Sequence, residues 1–240
     1  MERILMAEYE LLSSLSRRVL LVSLAAMAGG AVFRPARAQE NCLFPIMADD
    51  GQPIANYRLS SEVSPADLPG LLWHGPATAD VIVFEFFDYN CPYCRKAAGD
   101  LDALVAKDKN LRLGLADNAM LGLGSFLAAR VKQAVLRLYG PERAYQFHKQ
   151  LFAHRGAIDG ISALAVAKAM GLDTSKIEES ANSEMIGGVV KRHVQLGADL
   201  GFAASPSFAV SSVGVLGYPG PKSMARMIAA SRKCDAPVCG

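Results

Sequence analysis

Two cysteines one helical turn apart are the residues of this chain best suited to chemistry. Cys91 and Cys94 are separated by two residues, the first of which is Pro92. They come after an apolar run, 81–87, and before a stretch with helical spacing, 95–107. Proline is favoured at the first position of a helix, because its missing N–H would have no intrahelical partner there. Cys91 is therefore expected at the positive end of a helix dipole, where a thiolate is stabilised.

The spacing of Cys91 and Cys94 predicts thiol–disulfide exchange. Residues three apart on a helix share a face, so the two sulfurs can form a disulfide. A thiol that ionises readily is a good leaving group, and the disulfide that it joins is easily attacked and transferred. A structural disulfide and half of a zinc site are the alternatives. The strand–turn–helix context favours exchange over both.

The segment around these cysteines resembles a known active-site signature. Residues 86–95, Phe-Phe-Asp-Tyr-Asn-Cys-Pro-Tyr-Cys-Arg, look like the motif of the DsbA-like thiol–disulfide oxidoreductases, a branch of the thioredoxin superfamily. The similarity runs from about Asp80 to about Arg232, and 145–152 and 205–208 fall where that family has its helical insert and its proline loop. The resemblance implies an α/β thioredoxin fold, with an all-helical insert between the second and third core strands and a short N-terminal extension. It implies exchange between sulfurs with no cofactor.

The resemblance assigns roles to residues near the cysteines. Glu85 would lie beneath the disulfide and shuttle a proton to and from Cys94, with a pKa raised by burial. The alternative is a glutamate at a strand edge that faces water. Pro206 would be cis and lie against the disulfide, and the backbone of Ser205 would pair with an extended substrate strand. The alternative is a trans proline that merely begins a strand.

Residues next to the cysteines are also expected to bind substrate, and two nearby segments differ from the family pattern. Pro92 and Tyr93, between the cysteines, are also expected to bind substrate. Ala204-Ser205 stands where the family usually has Gly-Thr before the proline, and 118–124 replaces a loop that often contains proline. The redox poise and the choice of partner are therefore open.

Residues 1–38 are predicted to be an export signal. Arg17-Arg18 precedes an apolar stretch, and Ala36-Arg37-Ala38 is a cleavage signature, so we expect cleavage after Ala38 and a periplasmic location. The twin arginine suggests the Tat route, with an ordinary Sec signal as the alternative. A retained signal anchor is a further alternative.

Two segments are expected downstream of the signal. Residues 39–76 form an N-terminal extension, in which 49–51 predict the turn of a possible hairpin. Addition of this segment to the main sheet is favoured over a dimerisation arm. Residues 77–240 form the thioredoxin-like domain, with the insert at about 124–200. The insert is predicted to contain four or five helices, at 125–138, 141–152, 161–170, 174–181 and 183–200.

The chain has five cysteines, so at least one thiol is unpaired or joins another molecule. Cys234 and Cys239 are expected to form a local structural disulfide, which leaves Cys42 as the odd thiol. A zinc site combining Cys234 and Cys239 with the Cys91 pair has the ligand count but not the usual context. The four histidines show no ligand spacing, so no metal site is expected.

The hypothesis from these observations is an exported enzyme that introduces disulfides into reduced or unfolded proteins, with a membrane partner that reoxidises it. A disulfide isomerase or reductase, a metal-handling protein and a non-catalytic peptide-binding protein are the alternatives. A net charge of +2 with no basic block argues against nucleic-acid binding. We expect a monomer, with a dimer as the alternative.

Overall fold

A six-stranded sheet forms the centre of the protein. The computed structural model describes residues 43–60 and 64–240; the expected export signal and Cys42 lie outside these residues. The strands are β1 (Asn56–Arg58), β2 (Leu72–His74), β3 (Val81–Phe87), β4 (Leu111–Asp117), β5 (Ser207–Val210) and β6 (Val213–Leu216). Their order in the sheet is β1-β6-β5-β3-β4-β2. β3 and β4 are parallel, and every other neighbouring pair in this sheet is antiparallel.

Helices pack against the sheet, and four of them come between β4 and β5 in the chain. They are α1 (Pro92–Lys107), α2 (Leu123–Ala153), α3 (Gly160–Ala169), α4 (Thr174–Ala181), α5 (Glu184–Asp199) and α6 (Pro221–Cys234). Gly140 interrupts α2 with a φ of 80° and a ψ of 174°, so Pro141 begins a second helix, as the Gly-Pro pair predicts. The thioredoxin fold with a helical insert between the second and third core strands is therefore confirmed.

One face of β3 is buried along its whole length, whereas on the other face Ile82 is exposed, Phe84 is half-buried and Phe86 is buried. Val81, Val83 and Phe87 belong to one hydrophobic core, together with residues of α1, α6 and the second half of α2. Phe84 and Phe86 point to the other face, where they pack with residues of α5. By the alternation of a strand, Glu85 lies on the same face as Phe87, under α1.

A buried ion pair joins the insert to the sheet. Lys132, in α2, has its Nζ 2.8 Å from Oδ2 of Asp117, at the end of β4, and both side chains are buried. Gln133 donates to the same carboxylate oxygen at 2.6 Å. The first half of α2 is therefore held against the end of the strand that leads into it.

The N-terminal extension contributes strands to both edges of the sheet. β1 pairs with β6, so this segment adds to the main sheet. Within the extension, Met47 and Pro53 form an isolated bridge across the turn at 48–51. β2 pairs with β4 at the opposite edge, and the sequence analysis did not predict this strand. No helix among the described residues is long and apolar enough to cross a bilayer.

Candidate functional site

The redox-capable cysteines lie where β3 gives way to α1. Cys91 is the N-cap residue of α1 and Pro92 follows as its first residue. The Cys91 side chain accepts a hydrogen bond from the backbone N–H of Cys94, with an N–Sγ distance of 3.4 Å. Both cysteines are thiols in this structure. The helix therefore presents its free N–H groups to Cys91 Sγ.

Donors around Cys91 favour its ionised form. Hydrogen bonding from the Cys94 thiol lowers the pKa of Cys91 to about 6, assisted by the N–H groups of Cys94 and Tyr93 and by the Ser205 hydroxyl, against the opposing effect of burial. Cys91 is 5% exposed, whereas Cys94 is 0% exposed. Burial raises the pKa of Cys94, and the hydrogen bond to Cys91 and the charge of Glu85 add to the rise. The two thiols thus differ strongly in acidity.

The loop before β5 contacts both sulfurs. The Ser205–Pro206 peptide bond is cis. The Cys91 thiol donates to the Ser205 carbonyl oxygen at 3.0 Å, and the Ser205 hydroxyl lies 3.1 Å from Cys94 Sγ. Residues 205 and 206, more than a hundred positions away in the chain, are therefore brought to the start of α1.

Glu85 is buried in the core on the face covered by α1. It is 1% exposed, and its Oε1 has no hydrogen-bond partner among the described residues. Burial, and secondly the charge of Cys91, raises the pKa of Glu85 to about 8. The side chain does not face water at a strand edge, and it is a neutral acid through most of the range below pH 8.

Pro92 and Tyr93 occupy the solvent side of the same turn. Both are exposed, and Tyr93 keeps 64% of its surface accessible. A large apolar side chain exposed beside a reactive sulfur is available to a bound polypeptide.

Comparison with known proteins identifies the family. A family model described as thioredoxin matches residues 68–230, which is more than half of the chain. The chain belongs to the thioredoxin family. A thioredoxin-like oxidoreductase from Silicibacter pomeroyi DSS-3 is 31% identical, with a TM-score of 0.67; the alignment covers 73% of this chain and 99% of that one. The family membership inferred from the cysteine motif is confirmed.

Other relatives of this thioredoxin-family protein share the fold or one part of the sequence. The thiol-disulfide exchange protein alpha-DsbA2 from Wolbachia pipientis is 23% identical with a TM-score of 0.62, over 67% of this chain and 87% of that one. The Na(+)/H(+) antiporter NhaA 1 from Salinispora arenicola is 27% identical over 106 residues. That alignment covers 44% of this chain, and the chain spans only 16% of the length of the antiporter.

The thioredoxin-family site contains a hydrogen-bonded turn that the sequence analysis did not single out. Asp88 is 1% exposed, and its carboxylate accepts from the N–H of Asn90 at 2.8 Å and from the Ser125 hydroxyl at 2.6 Å. The only local indication of this turn is that Asp and Asn, both turn-forming residues, lie between a strand and a helix. The contact with Ser125 cannot be predicted from neighbouring residues, because Ser125 is 37 positions away in the chain.

Tyr89 and His148 form a buried pair, and Tyr89 belongs to the same hydrophobic core as the two cysteines. The Tyr89 hydroxyl lies 3.1 Å from His148 Nδ1. Burial lowers the pKa of His148 well below its usual value, and the charge of Lys132 lowers it further. The imidazole is therefore neutral, and its Nδ1 can accept a hydrogen bond from the Tyr89 hydroxyl. His148 is thus a packing residue of the core.

Cys234 and Cys239 lie at the C-terminal end of α6 and just beyond it. The structure joins Cys234 and Cys239 in a disulfide. Arg232, near the same end, contacts Asp108, the C-cap residue of α1, while Cys91 is at the start of α1. A 16-residue helix is about 24 Å long, so this disulfide is remote from Cys91. Within residues 43–60 and 64–240, no group of three or more His, Cys, Asp or Glu is arranged to hold a metal ion.

Proposed function

We propose that this chain is an exported thiol–disulfide oxidoreductase that introduces disulfides into reduced or unfolded substrate proteins through Cys91 and Cys94. The observation that carries the proposal is the set of donors around Cys91 Sγ, which lowers the pKa of Cys91 to about 6. Reduced Cys91 is then mostly thiolate at neutral pH. Stabilisation of the reduced form makes the corresponding disulfide a stronger oxidant.

The exchange proceeds in two balanced steps. A substrate thiolate attacks Cys91 Sγ, the Cys91–Cys94 bond breaks, and its electron pair goes to Cys94 Sγ. A mixed disulfide now joins substrate and Cys91. A second substrate thiolate attacks the substrate sulfur of that bond, and Cys91 leaves as a thiolate. Two electrons have passed from the substrate to the cysteine pair, and the substrate holds a new disulfide.

Glu85 supplies and removes the proton of Cys94 in this scheme. With a pKa of about 8 the carboxylic acid holds its proton at neutral pH, beneath a thiolate that burial strongly disfavours. Transfer of that proton to Cys94 stabilises the departing sulfur as a thiol and slows its return attack on the mixed disulfide. When the pair is reoxidised, the carboxylate takes the proton back.

The surface around Cys91 supports binding of an extended polypeptide. The Ser205 carbonyl accepts from the Cys91 thiol, so ionisation or substitution of that sulfur frees the oxygen for a substrate N–H. Pro206 forms the buried wall beside it. Pro92 and Tyr93 follow Cys91 directly in the chain, and both are exposed and available to substrate side chains.

The proposed compartment rests on the predicted signal, and the proposed redox partner rests on the exchange chemistry. The predicted signal at 1–38 would deliver the protein to the periplasm, with cleavage after Ala38, where disulfides persist. A membrane redox partner would reoxidise the pair after each cycle. Cys234 and Cys239 would have a structural role only.

A glutathione equilibrium titration of the purified protein tests the proposal. We expect a midpoint well above the potential of thioredoxin, which is about −270 mV, and rapid oxidation of a reduced unfolded substrate that Cys91→Ser abolishes. A potential near that of thioredoxin would favour a reductase or isomerase instead. Unchanged oxidation by Cys91→Ser would leave only a non-catalytic role. One equivalent of copper or zinc, lost in Cys91→Ser, would indicate metal handling.

A further inference from the structure

We propose that Asp88 is a positioning residue for thiol–disulfide exchange, whose buried carboxylate holds its own backbone N–H against Cys94 Sγ. Through this residue the helical insert takes part in the chemistry of the second cysteine. The inference deepens the proposed function and rests on it.

The backbone of Asp88 contacts both cysteines. Its N–H donates to Cys94 Sγ at 3.4 Å. Its carbonyl oxygen accepts from the N–H of Cys91 at 3.1 Å. The orientation of this one residue therefore decides whether a donor faces the buried sulfur.

Three segments hold the carboxylate of Asp88. Oδ1 accepts from the Asn90 N–H at 2.8 Å and from the Ser125 hydroxyl, in α2, at 2.6 Å. Oδ2 accepts from the N–H of Leu121, in the loop between β4 and α2, at 2.9 Å. A buried carboxyl group with short hydrogen bonds on both oxygens gives a rigid arrangement.

Asn90 attaches the same turn to the insert at a second place. Its Nδ2 donates to the Ile158 carbonyl at 2.7 Å and to the Ser125 hydroxyl at 2.9 Å. Its Oδ1 accepts from the Ile158 N–H at 2.8 Å. Residues 88–90 are thus tied to α2 and to the segment just before α3. A shift of the insert would move the turn and the N–H that it presents to Cys94.

The N–H of Asp88 matters most in one step. When a substrate thiolate attacks Cys91, the electron pair of the Cys91–Cys94 bond goes to Cys94 Sγ. In the reverse direction Cys94 attacks as a thiolate and expels the thiol bound to Cys91. Cys94 Sγ carries negative charge in the transition state in both directions, as the leaving sulfur in one and as the attacking sulfur in the other. A donor fixed beforehand stabilises that charge, relative to the resting disulfide or thiol, without reorganisation. Attack by Cys91 itself places no charge on Cys94.

Single-turnover oxidation of the reduced full chain by oxidised glutathione separates these steps. The first phase depends on glutathione concentration and forms the Cys91–glutathione disulfide; the second is concentration-independent, because Cys94 displaces reduced glutathione within the same molecule. Asp88→Ala should slow the second phase about tenfold, as loss of a hydrogen bond to a charged group would. The first phase should change less than about twofold. The mixed disulfide should therefore accumulate and be detectable by mass after acid quenching.

Two further variants distinguish positioning from loss of structure. Ser125→Ala removes one donor to the carboxylate and should slow the second phase by about threefold, even if Asp88→Ala fails to fold. Asp173→Ala is the matched control, since Asp173 caps α4 through the N–H of Lys176, and the hydrogen bonds of its side chain and its N–H in the described structure go to Lys176 and Tyr139 and not to the 88–90 turn. It should lower stability but leave both phases unchanged.

The results distinguish failure of the role given to Asp88 from failure of the proposed exchange activity. Selective slowing of the second phase by Asp88→Ala or Ser125→Ala supports positioning of Cys94. Normal phases in both variants, or equal slowing of the two phases, would overturn the inference while the exchange activity of the parent protein stands. Failure of the parent protein to form a Cys91–glutathione adduct would overturn the proposed function itself.

Discussion

The Ser205 hydroxyl lies 3.1 Å from Sγ of Cys94, although the two residues are 111 positions apart in the chain. The carbonyl oxygen of the same serine is 3.0 Å from Cys91 Sγ. One residue therefore contacts both reacting atoms. Since Ser205 stands where DsbA-like proteins usually have threonine, a hydroxyl is kept at this position while a methyl group is absent.

Replacement of Ser205 by alanine should make Cys91 less acidic. The hydrogen bond from the Cys94 thiol is the largest cause of the lowered pKa of Cys91, and the Ser205 hydroxyl makes a smaller contribution. Ser205→Ala should therefore raise the midpoint of the pH dependence of Cys91 alkylation by about half a unit. The reduction potential should fall with it, because the reduced form is less stabilised. Ser205→Thr keeps the hydroxyl and is the control. Equal midpoints in the alanine variant and the parent would show that the hydroxyl has no such effect.

Glu85 should make the stability of the oxidised protein fall as pH rises. Burial is the larger of the two causes that raise its pKa from 4.5 to about 8 in the reduced protein, and burial persists when the two cysteines are joined. The folded oxidised state therefore binds the proton more tightly than the unfolded state, and the free energy of unfolding should decrease as the pH rises from about 4.5 towards 8. Glu85→Gln should remove that slope and stabilise the oxidised protein at pH 8 by about 2–4 kcal/mol, measured by urea unfolding across this range.

The same Glu85→Gln variant should be a poorer catalyst. Glutamine cannot give a proton to Cys94, so oxidation of a reduced substrate should slow by about tenfold or more. A stabilised but slower protein is the expected combination, and a purely structural glutamate would give the first change without the second. Glu142→Gln, on the exposed side of α2, is a suitable control for loss of one carboxylate.

Local patterns predicted the parts of the fold that short stretches of chain determine. The start of α1 at Pro92 and the break at Gly140 follow from residues adjacent to them, and both were predicted. β2, Leu72–His74, was missed because three residues show no alternation and pair only with a distant strand. The contacts of Asp88 with Ser125 and Leu121 were missed for the same reason, since their partners are brought together by folding alone.

The ion pair of Lys132 and Asp117 could not be predicted from the sequence either, because Lys132 looks there like any other charged residue of a helix. Both side chains are buried, so removing one leaves the other charge without its partner. Lys132→Met should lower the free energy of unfolding by about 3–5 kcal/mol. The double variant Lys132→Met/Asp117→Leu should recover part of the loss. Additive losses in urea unfolding would contradict coupling between the two residues.

The N-terminal extension should stabilise the domain through a single carboxylate, without affecting the redox site. Gly220 precedes α6 and offers no side-chain cap, and Asp49 takes its place. Its oxygens accept from the N–H groups of Lys222 at 3.0 Å and Ser223 at 2.8 Å, and from the Ser223 hydroxyl at 2.8 Å. Asp49→Ala removes these bonds and should cost about 1–2 kcal/mol in thermal or urea unfolding, as loss of an N-cap does.

Asp50, the next residue, is the matched control for Asp49. It is exposed, and its carboxylate contacts only the N–H of Gln52 among the hydrogen bonds of the described structure. Asp50→Ala should therefore change stability by less than about 0.5 kcal/mol. The rate of Cys91 alkylation should be the same in both variants, because Asp49 lies at α6 and not at the start of α1. A slower or faster alkylation in Asp49→Ala would mean that the extension also controls the geometry of the cysteines.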